Sequence, residues 1–364
     1  MKNLSTPDSA ETYYKHLGTM KTGFLSKLPW IGFALMAITG TPASAQEVTP
    51  EQFIDRFEEI NGVHPGFRRN HAKGVGVSGF FESNGNGVHL SSAAVFKPGR
   101  VPVIGRFSLD GGQPYETDTP DIRRGLGLQF SAPNGDVWRT AMINFPLFPV
   151  RTPEIFYERL LAFKRDPATG QPNPAAVKAF EERHPETVDV LKVILNEPRG
   201  SGFANTTFYA LHAFFFTNAK GKTTPVRWML KPVQPFEAAG AAPADKDYLF
   251  HDLITRVHRQ PLHWRLIVIV GKPGDPTNDP TAGWPPDREQ VEVGTVTLDR
   301  VEAEEDSAAT DTNFDPMTLP AGMAPSDDPV LHIRSGVYGQ SFARRTSEKK
   351  QPSAITSADA NKEQ

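Results

Sequence analysis

The hydrophobic residues of the chain follow two kinds of spacing. Over residues 74–148 and again over 209–298, short alternating runs are separated by Gly and Pro, which is typical of strands joined by turns. Hydrophobic residues three and four positions apart predict helices over 46–62, 152–163 and 174–195. About eight strands with few helices between them favour one closed antiparallel β-barrel with surrounding helices, an α+β fold.

The same pattern assigns the individual elements. Strands are predicted at 75–80, 88–96, 105–109, 125–130, 137–143, 209–217, 225–232, 264–271 and 290–298. A further helix is predicted over 251–259, and residues 330–343 are compatible with a helix weakened by Gly336 and Gly339. Residues 303–328 are predicted to form an extended loop, and the polar residues 348–364 a disordered tail.

The N-terminal 45 residues have the features of a signal peptide. Lys21 and Lys27 precede an apolar run over 30–40, and Ala43-Ser44-Ala45 provides a cleavage site before Gln46. The run is shorter than the roughly 20 residues of a membrane span. We therefore expect export and a periplasmic location, with no stable membrane span once the signal is cleaved. An uncleaved anchor or a buried helix is the alternative.

The composition excludes several kinds of chemistry. The 364-residue chain contains no Cys, so disulfides, thiolate-bound zinc, iron–sulfur clusters and a Cys nucleophile are all excluded. A net charge of −3 at pH 7 gives no electrostatic footprint for nucleic acid. The chain also lacks a P-loop, a dinucleotide-binding glycine motif and a His-Glu-x-x-His metal site.

Two stretches carry polar residues next to predicted strands. His71 precedes the glycine-flanked strand that begins at Gly74, and an imidazole can accept and return a proton near neutral pH. Asn144 lies among apolar residues at a predicted strand end and is a candidate for orienting a small substrate. Taken alone, a structural His and a turn-forming Asn are the more common explanations of these two residues.

A third stretch combines a phenol with a guanidinium. On a helix, Arg334 and Tyr338 share one face, and the positive charge of the Arg stabilises a phenolate. Phenolate is a suitable ligand for ferric iron, and tyrosinate is one of the axial ligands of haem. Gly336 and Gly339 lack side chains and would let a flat macrocycle approach the helix. A lone pair of this spacing is an ordinary surface pair in most proteins.

Together these motifs resemble those of the haem catalase superfamily. His71-Ala72-Lys73-Gly74, Arg106-Phe107-Ser108, Asn144-x-Pro146-x-Phe148 and Arg334-x-x-x-Tyr338 are similar to its sequence motifs and occur in its order. Gly283-Trp284-Pro285, Phe314-Asp315-Pro316 and Pro320-Ala321-Gly322 follow the same order. The resemblance implies a catalase-like haem-binding domain over residues 46–347.

The resemblance also implies roles for these residues. Tyr338 would bind ferric haem, and Arg334 would hold it as phenolate. On the opposite face, His71 would move the proton of the peroxide, Asn144 would hydrogen-bond the peroxide, and Ser108 would orient His71.

Three further arginines would pair with the haem propionates: Arg68, Arg106 and Arg345. For each of them, a solvated surface charge is the alternative.

The chain is short for a catalase, and an export signal with a minimal core resembles the catalase-related peroxidases. These use haem to reduce hydrogen peroxide or organic hydroperoxides with a small donor, so weak catalase activity and a monomer or dimer are expected. Asn70, Asp110 and Gln340 depart from the pattern of large catalases. A periplasmic haem carrier or sensor, and a lyase that rearranges hydroperoxides, are the alternative functions.

Overall fold

The described residues form one sheet of ten antiparallel strands. The computed structural model describes residues 47–362, and the predicted signal peptide lies outside them. The strands are β1 Gly74–Ser83, β2 Gly99–Leu109, β3 Arg124–Ser131, β4 Val137–Ile143, β5 Phe208–Tyr209, β6 Phe214–Thr217, β7 Thr223–Pro232, β8 Leu262–Val270, β9 Gln290–Glu302 and β10 Met323–Pro325.

Eight of these strands close into a ring. Their order is β7–β5–β4–β3–β2–β1–β9–β8, and β8 pairs back onto β7 through seven residue pairs from Val226–Val270 to Pro232–Trp264. Strands β6 and β10 extend the sheet from β7 outside the ring. Closure pairs the edge strands, so the ring presents no free edge. The predicted eight-stranded antiparallel barrel is therefore confirmed.

Large aromatic side chains form the centre of the core. Trp138 stacks on Phe130 with ring centroids 4.6 Å apart, and it meets Trp228 edge-on at 5.2 Å. All three rings are buried, and the Trp228 indole donates to Thr140 Oγ1 at 3.0 Å. Aromatic rings bury large areas with little loss of conformational freedom. The aromatic core therefore packs closely against the strands of the barrel.

Seven α-helices surround the barrel within the described residues. They are α1 Pro50–Asn61, α2 Pro153–Ala162, α3 Pro174–Arg183, α4 Pro185–Asn196, α5 Tyr248–Arg259, α6 Pro329–Ser347 and α7 Ser357–Ala360. Five of them have Pro in the first turn, where its missing N–H would lack a helical partner anyway. None of the helices within residues 47–362 is both long and apolar enough to cross a membrane.

Several predicted elements differ in the structure, and the loop predicted over 303–328 contains the 3-10 helix Glu304–Asp306 and strand β10. Residues 88–96 are not a strand but contribute to two short 3-10 helices, Asn86–His89 and Ala94–Phe96. The helix predicted over 174–195 is two helices, because Pro185 cannot continue the first one. The strand predicted over 209–217 is interrupted at Leu211, whose φ of +66° belongs to the left-handed region and bends the chain.

The C-terminal residues that were predicted as a disordered tail pack against the barrel domain. Helix α6 continues to Ser347, and the chain then places Ile355 in the main core with no exposed surface. Thr356 caps α7 through a reciprocal pair of hydrogen bonds with Asp359. Polar composition suggested fraying, but one buried isoleucine and a capped turn are sufficient to hold this segment.

A buried ion cluster fixes the chain next to the start of β1. The Lys73 ammonium is fully buried and lies 2.6 Å from Asp118 Oδ1 and 2.7 Å from Asp247 Oδ1. It also donates to the Glu116 carbonyl at 2.7 Å, while Asp118 Oδ2 accepts from the Leu249 N–H of α5 at 2.9 Å. Burying an ammonium is costly unless it is paired and hydrogen-bonded, as it is here. The cluster thus anchors the segment that carries His71 to α5.

Candidate active site

His71 is held in an unusual backbone conformation just before β1. Its φ is +58°, which is uncommon outside glycine, and its carbonyl accepts from Arg106 Nη1 at 2.8 Å. On the ring, Nδ1 lies 3.2 Å from Ser108 Oγ. Since Nδ1 contacts the hydroxyl, Nε2 is the nitrogen left to exchange a proton with a ligand. Strained residues of this kind cluster at functional sites.

The strand register brings the predicted residues to one edge of the barrel. Ser108 near the end of β2 pairs with Gly74 on one side and with Gly125 on the other. Gly125 in turn pairs with Ile143, the last residue of β4, which precedes Asn144. A Cβ at position 125 would lie 2.9 Å from Ser108 Oγ and 3.0 Å from His71 Nδ1. Only glycine leaves room there for the Ser–His contact, a requirement that sequence reasoning missed.

The Asn144 amide is oriented by the backbone of the neighbouring strand. The side-chain Oδ1 accepts from the backbone N–H of Arg124 at 2.9 Å, and the backbone N–H of Asn144 donates to the Arg124 carbonyl at 3.1 Å. With Oδ1 in use, the Nδ2 group is the part of the side chain positioned to donate to a ligand. The half-buried amide fits the predicted role of a hydrogen-bond donor.

Burial and nearby charges act on the charge state of His71. Burial lowers the pKa of His71 below 6.5, the Asp110 carboxylate opposes this, and the guanidinium groups of Arg106 and Arg334 add to it. The imidazole is thus neutral at pH 7 and can act as a base. The Arg334 charge on α6 therefore acts on this ring.

Ser108→Ala removes the hydroxyl that orients the imidazole. For the roles that the resemblance implies, we expect the rate of reaction with peroxide to fall by about 10- to 100-fold, the usual effect of losing an orienting partner, with haem binding unchanged. Ser83→Ala is a matched control, since both serines are 5% exposed and Ser83 Oγ likewise makes a buried hydrogen bond. Stopped-flow mixing with peroxide measures both variants, and equal rates would refute the orienting role of Ser108.

On helix α6, the Tyr338 hydroxyl is paired with an arginine one turn earlier. Arg334 Nη2 donates to Tyr338 Oη at 2.9 Å, as the i, i+4 spacing predicts. The second nitrogen, Arg334 Nη1, is buried without a hydrogen-bond partner among residues 47–362. Ser341 Oγ, three residues beyond Tyr338, accepts from the Arg69 N–H at 3.3 Å. The helix therefore contacts the segment that carries His71.

The two glycines flanking Tyr338 have different surroundings. A Cβ on Gly336 would lie 2.5 Å from the Pro50 ring, so this glycine is required for the packing of α6 against α1. The sequence-based idea that Gly336 makes room for a macrocycle is therefore wrong. Gly339 has open space where its side chain would be, and there the idea stays a prediction.

Two buried arginines, Arg106 and Arg345, and the partly buried Arg68 lie around one carboxylate. Glu304 accepts from Arg106 at 3.0 and 2.7 Å and also from Arg68, and the charge of Arg345 acts on it as well. Burial alone would raise the pKa of Glu304, but these arginines hold it below its usual range. Burial also lowers the pKa of Arg345 to about 10. Three guanidinium groups and one carboxylate leave a net charge of +2 in this cluster.

Sequence reasoning missed a buried pair at the base of α6. His212 Nδ1 lies 2.6 Å from Asp328 Oδ2, and neither side chain has more than 1% exposure. Asp328 Oδ1 also caps α6 by accepting from the Val330 N–H at 2.8 Å. Burial lowers the pKa of His212 to about 4, and the nearby Arg334 contributes to the shift. The Asp-Pro start of the helix was a visible signal for the cap, but nothing local pointed to His212.

The whole described domain matches a known family. The catalase family model matches residues 44–359. The chain therefore belongs to the catalase family.

Within it, the chain is 38% identical over 326 residues to a catalase-related peroxidase from Synechococcus elongatus, with 87% of this chain and 96% of that protein covered. A catalase-related peroxidase from Mycolicibacterium paratuberculosis is 32% identical over 303 residues, with 82% and 95% covered. The chain is accordingly an oxidoreductase of the catalase-related peroxidase type.

Solved structures support the fold. A fungal catalase superposes with a TM-score of 0.70 at 20% identity, covering 90% of this chain and 66% of that one. A bacterial catalase gives 0.68 at 21% identity, with 93% and 70% covered. This chain thus spans about two thirds of the length of these catalases.

Proposed function

We propose that this protein is a haem-dependent peroxidase that reduces hydrogen peroxide or organic hydroperoxides with a small donor. The observation that carries the proposal is a pair of contacts. Ser108 holds the His71 imidazole at the barrel edge, and Arg334 holds the Tyr338 hydroxyl on α6, the helix whose Ser341 accepts a hydrogen bond from the segment that carries His71. A haem carrier needs only an iron ligand, whereas an oriented base facing the ligand suits an enzyme.

The residues around the site fit a haem group. Haem carries two propionates, whose charge of −2 matches the net +2 of the cluster formed by Arg68, Arg106, Arg345 and Glu304. All three arginines already donate to protein oxygens, so a propionate would share them with those partners. Arg345 is the one of the three that donates to backbone carbonyls alone. Tyr338 is the iron ligand in this proposal, as one of the side chains that bind haem iron.

Haem, when bound, would supply the redox centre, and the side chains would transfer the protons. Neutral His71 takes the proton of the incoming hydroperoxide on Nε2 and returns it to the oxygen that leaves as water or alcohol. Asn144 Nδ2 donates a hydrogen bond to the peroxide and so orients it. The hydrogen bond of 2.9 Å from Arg334 would fix the position of the Tyr338 oxygen, which is the atom proposed to bind the iron.

One set of measurements on purified holoprotein tests the proposal against its alternatives. We expect a Soret band, oxidation of a chromogenic donor by peroxide, and little oxygen release from hydrogen peroxide alone. Haem binding without turnover would favour a carrier or sensor, and rearrangement of a fatty-acid hydroperoxide without donor consumption would favour a lyase. Vigorous oxygen release would identify a catalase.

The N-terminal sequence adds a location to this proposal. The apolar run and the Ala43-Ser44-Ala45 site support export to a periplasm, where the enzyme would act as a monomer or dimer. Sequencing the N-terminus of the protein from cell fractions tests cleavage before Gln46, and size-exclusion chromatography with light scattering tests the oligomeric state.

A further inference from the structure

A carboxylate lies next to the free nitrogen of the His71 imidazole. Asp110 Oδ1 is 3.9 Å from His71 Nε2, so it faces the nitrogen that exchanges protons and not the one held by Ser108. Both side chains are partly accessible, at 31% and 27%, which places the pair at an opening and not in the core. A gap of 3.9 Å is too long for a direct hydrogen bond. It allows an O–H or N–H group of a small molecule to contact both residues.

The Asp110 carboxylate is held in place from several sides. Its Oδ1 accepts from Asn70 Nδ2 at 3.3 Å, and Asn70 Oδ1 in turn accepts from the Gly111 N–H at 2.9 Å. Its Oδ2 lies 3.6 Å from the Arg123 guanidinium, and its backbone N–H donates to the Arg123 carbonyl at 2.9 Å. The position follows from the β2–β3 register, because Asp110 and Arg123 are the residues just beyond the Leu109–Arg124 pair.

We propose that Asp110 accepts the proton of the reducing donor, so that the site selects small donors that release a proton with each electron, such as phenols and aromatic amines. The proposal rests on the peroxidase function proposed above and names its substrate class. The donor's O–H or N–H would lie between the carboxylate and His71 Nε2. Arg123 and Asn70 would keep the carboxylate aimed at that position.

Oxidation of the donor releases a proton, and Asp110 is a base next to His71 that can accept it. Each donor molecule loses one electron to the peroxide-oxidised cofactor, and its O–H or N–H bond breaks. The proton forms a new O–H bond on Asp110 and passes on to His71 or to solvent. A donor that has lost an electron is far more acidic than the neutral molecule, so a carboxylate is basic enough to accept this proton.

Several charged groups face this pair and act on its titration. His71 is influenced by Asp110, Arg106 and Arg334, while Asp110 is influenced by His71, Arg123 and Arg159. Burial raises the pKa of Glu116 to about 7, and the Asp110 charge contributes to this shift. Because the Asp110 charge raises the pKa of His71, neutralising Asp110 should move the acidic limb of the peroxide reaction to lower pH.

Asp110→Asn tests the proposal on holoprotein with two donors. Guaiacol, a phenol, loses a proton on oxidation, whereas ferrocyanide loses only an electron. We expect kcat/KM for guaiacol to fall at least tenfold and kcat/KM for ferrocyanide to stay within about twofold, since general base contributions exceed tenfold. Asp252→Asn is the control, because Asp252 is 34% exposed and also paired with an arginine, Arg256.

A binding measurement supplements turnover. Cyanide enters as HCN and leaves its proton on the protein, so the charge of Asp110 stabilises the resulting imidazolium. We expect the cyanide dissociation constant of Asp110→Asn holoprotein to rise by about tenfold. Equal losses for both donors, or unchanged guaiacol kinetics, would overturn the role of Asp110, as would unchanged cyanide affinity. Wild-type holoprotein that oxidises neither donor would instead overturn the peroxidase function.

Discussion

Tyr338→Phe should lose most of its haem. We expect the haemin dissociation constant to rise by about 100-fold or more, since the loss of about 3 kcal/mol already gives that factor. A charge-assisted hydrogen bond alone contributes about 1.5–3 kcal/mol, and a phenolate bound to ferric iron exceeds it. The substitution also leaves Arg334 without its partner at 2.9 Å in a half-buried position. Titration of haemin into wild type and variant, followed in the Soret region, measures the change.

Two comparisons separate ligand loss from general damage. Tyr115→Phe removes a hydroxyl that donates to the Pro352 carbonyl at the surface, and it should bind haemin like the wild type. Haemin dimethyl ester lacks the propionate charges, so wild type should bind it more weakly, because the net charge of +2 in the arginine cluster would then face no ligand charge. Should Tyr338→Phe keep both the affinity and the spectrum of the wild type, another residue must be the iron ligand.

The barrel and the local pairs were predictable from the sequence because they follow from periodicity. Alternating runs identified most strands of the ring, and the i, i+4 spacing placed Arg334 against Tyr338. The wrong assignments came from local features that override hydrophobicity. The break before Pro185 was visible in the sequence, whereas the left-handed turn at Leu211 had no glycine to mark it.

Long-range pairing explains what could not be predicted. Glu304 follows β9 and meets Arg106 of β2 at a separation of 198 residues, and only the closed register brings the two together. His212 and Asp328 are likewise 116 residues apart. The resemblance to the catalase family implied a propionate site formed by three arginines. The structure adds a carboxylate that offsets part of their mutual repulsion and sets the charge left for a ligand.

His71→Ala should remove proton transfer without removing haem. We expect the rate of reaction with peroxide to fall by about 10²- to 10⁴-fold, the range of general acid–base catalysis. The acidic limb of the wild-type rate should lie below pH 6.5, because burial lowers the pKa of His71 and keeps the base neutral to lower pH. That limb should be absent from the variant. Stopped-flow mixing with peroxide between pH 4 and 8 measures both effects.

The alanine variant also opens space that a small base can fill. Since the His71 side chain is 27% accessible, added imidazole should reach the site and restore part of the rate. A merely structural histidine would not respond in this way, because an untethered ring cannot restore backbone geometry. His258→Ala, which alters an exposed residue of α5, should keep the full rate and show no response to imidazole. A His71→Ala protein with the wild-type rate and pH profile would mean that another group moves the peroxide proton, and the proposed mechanism would then fail while the family assignment stands.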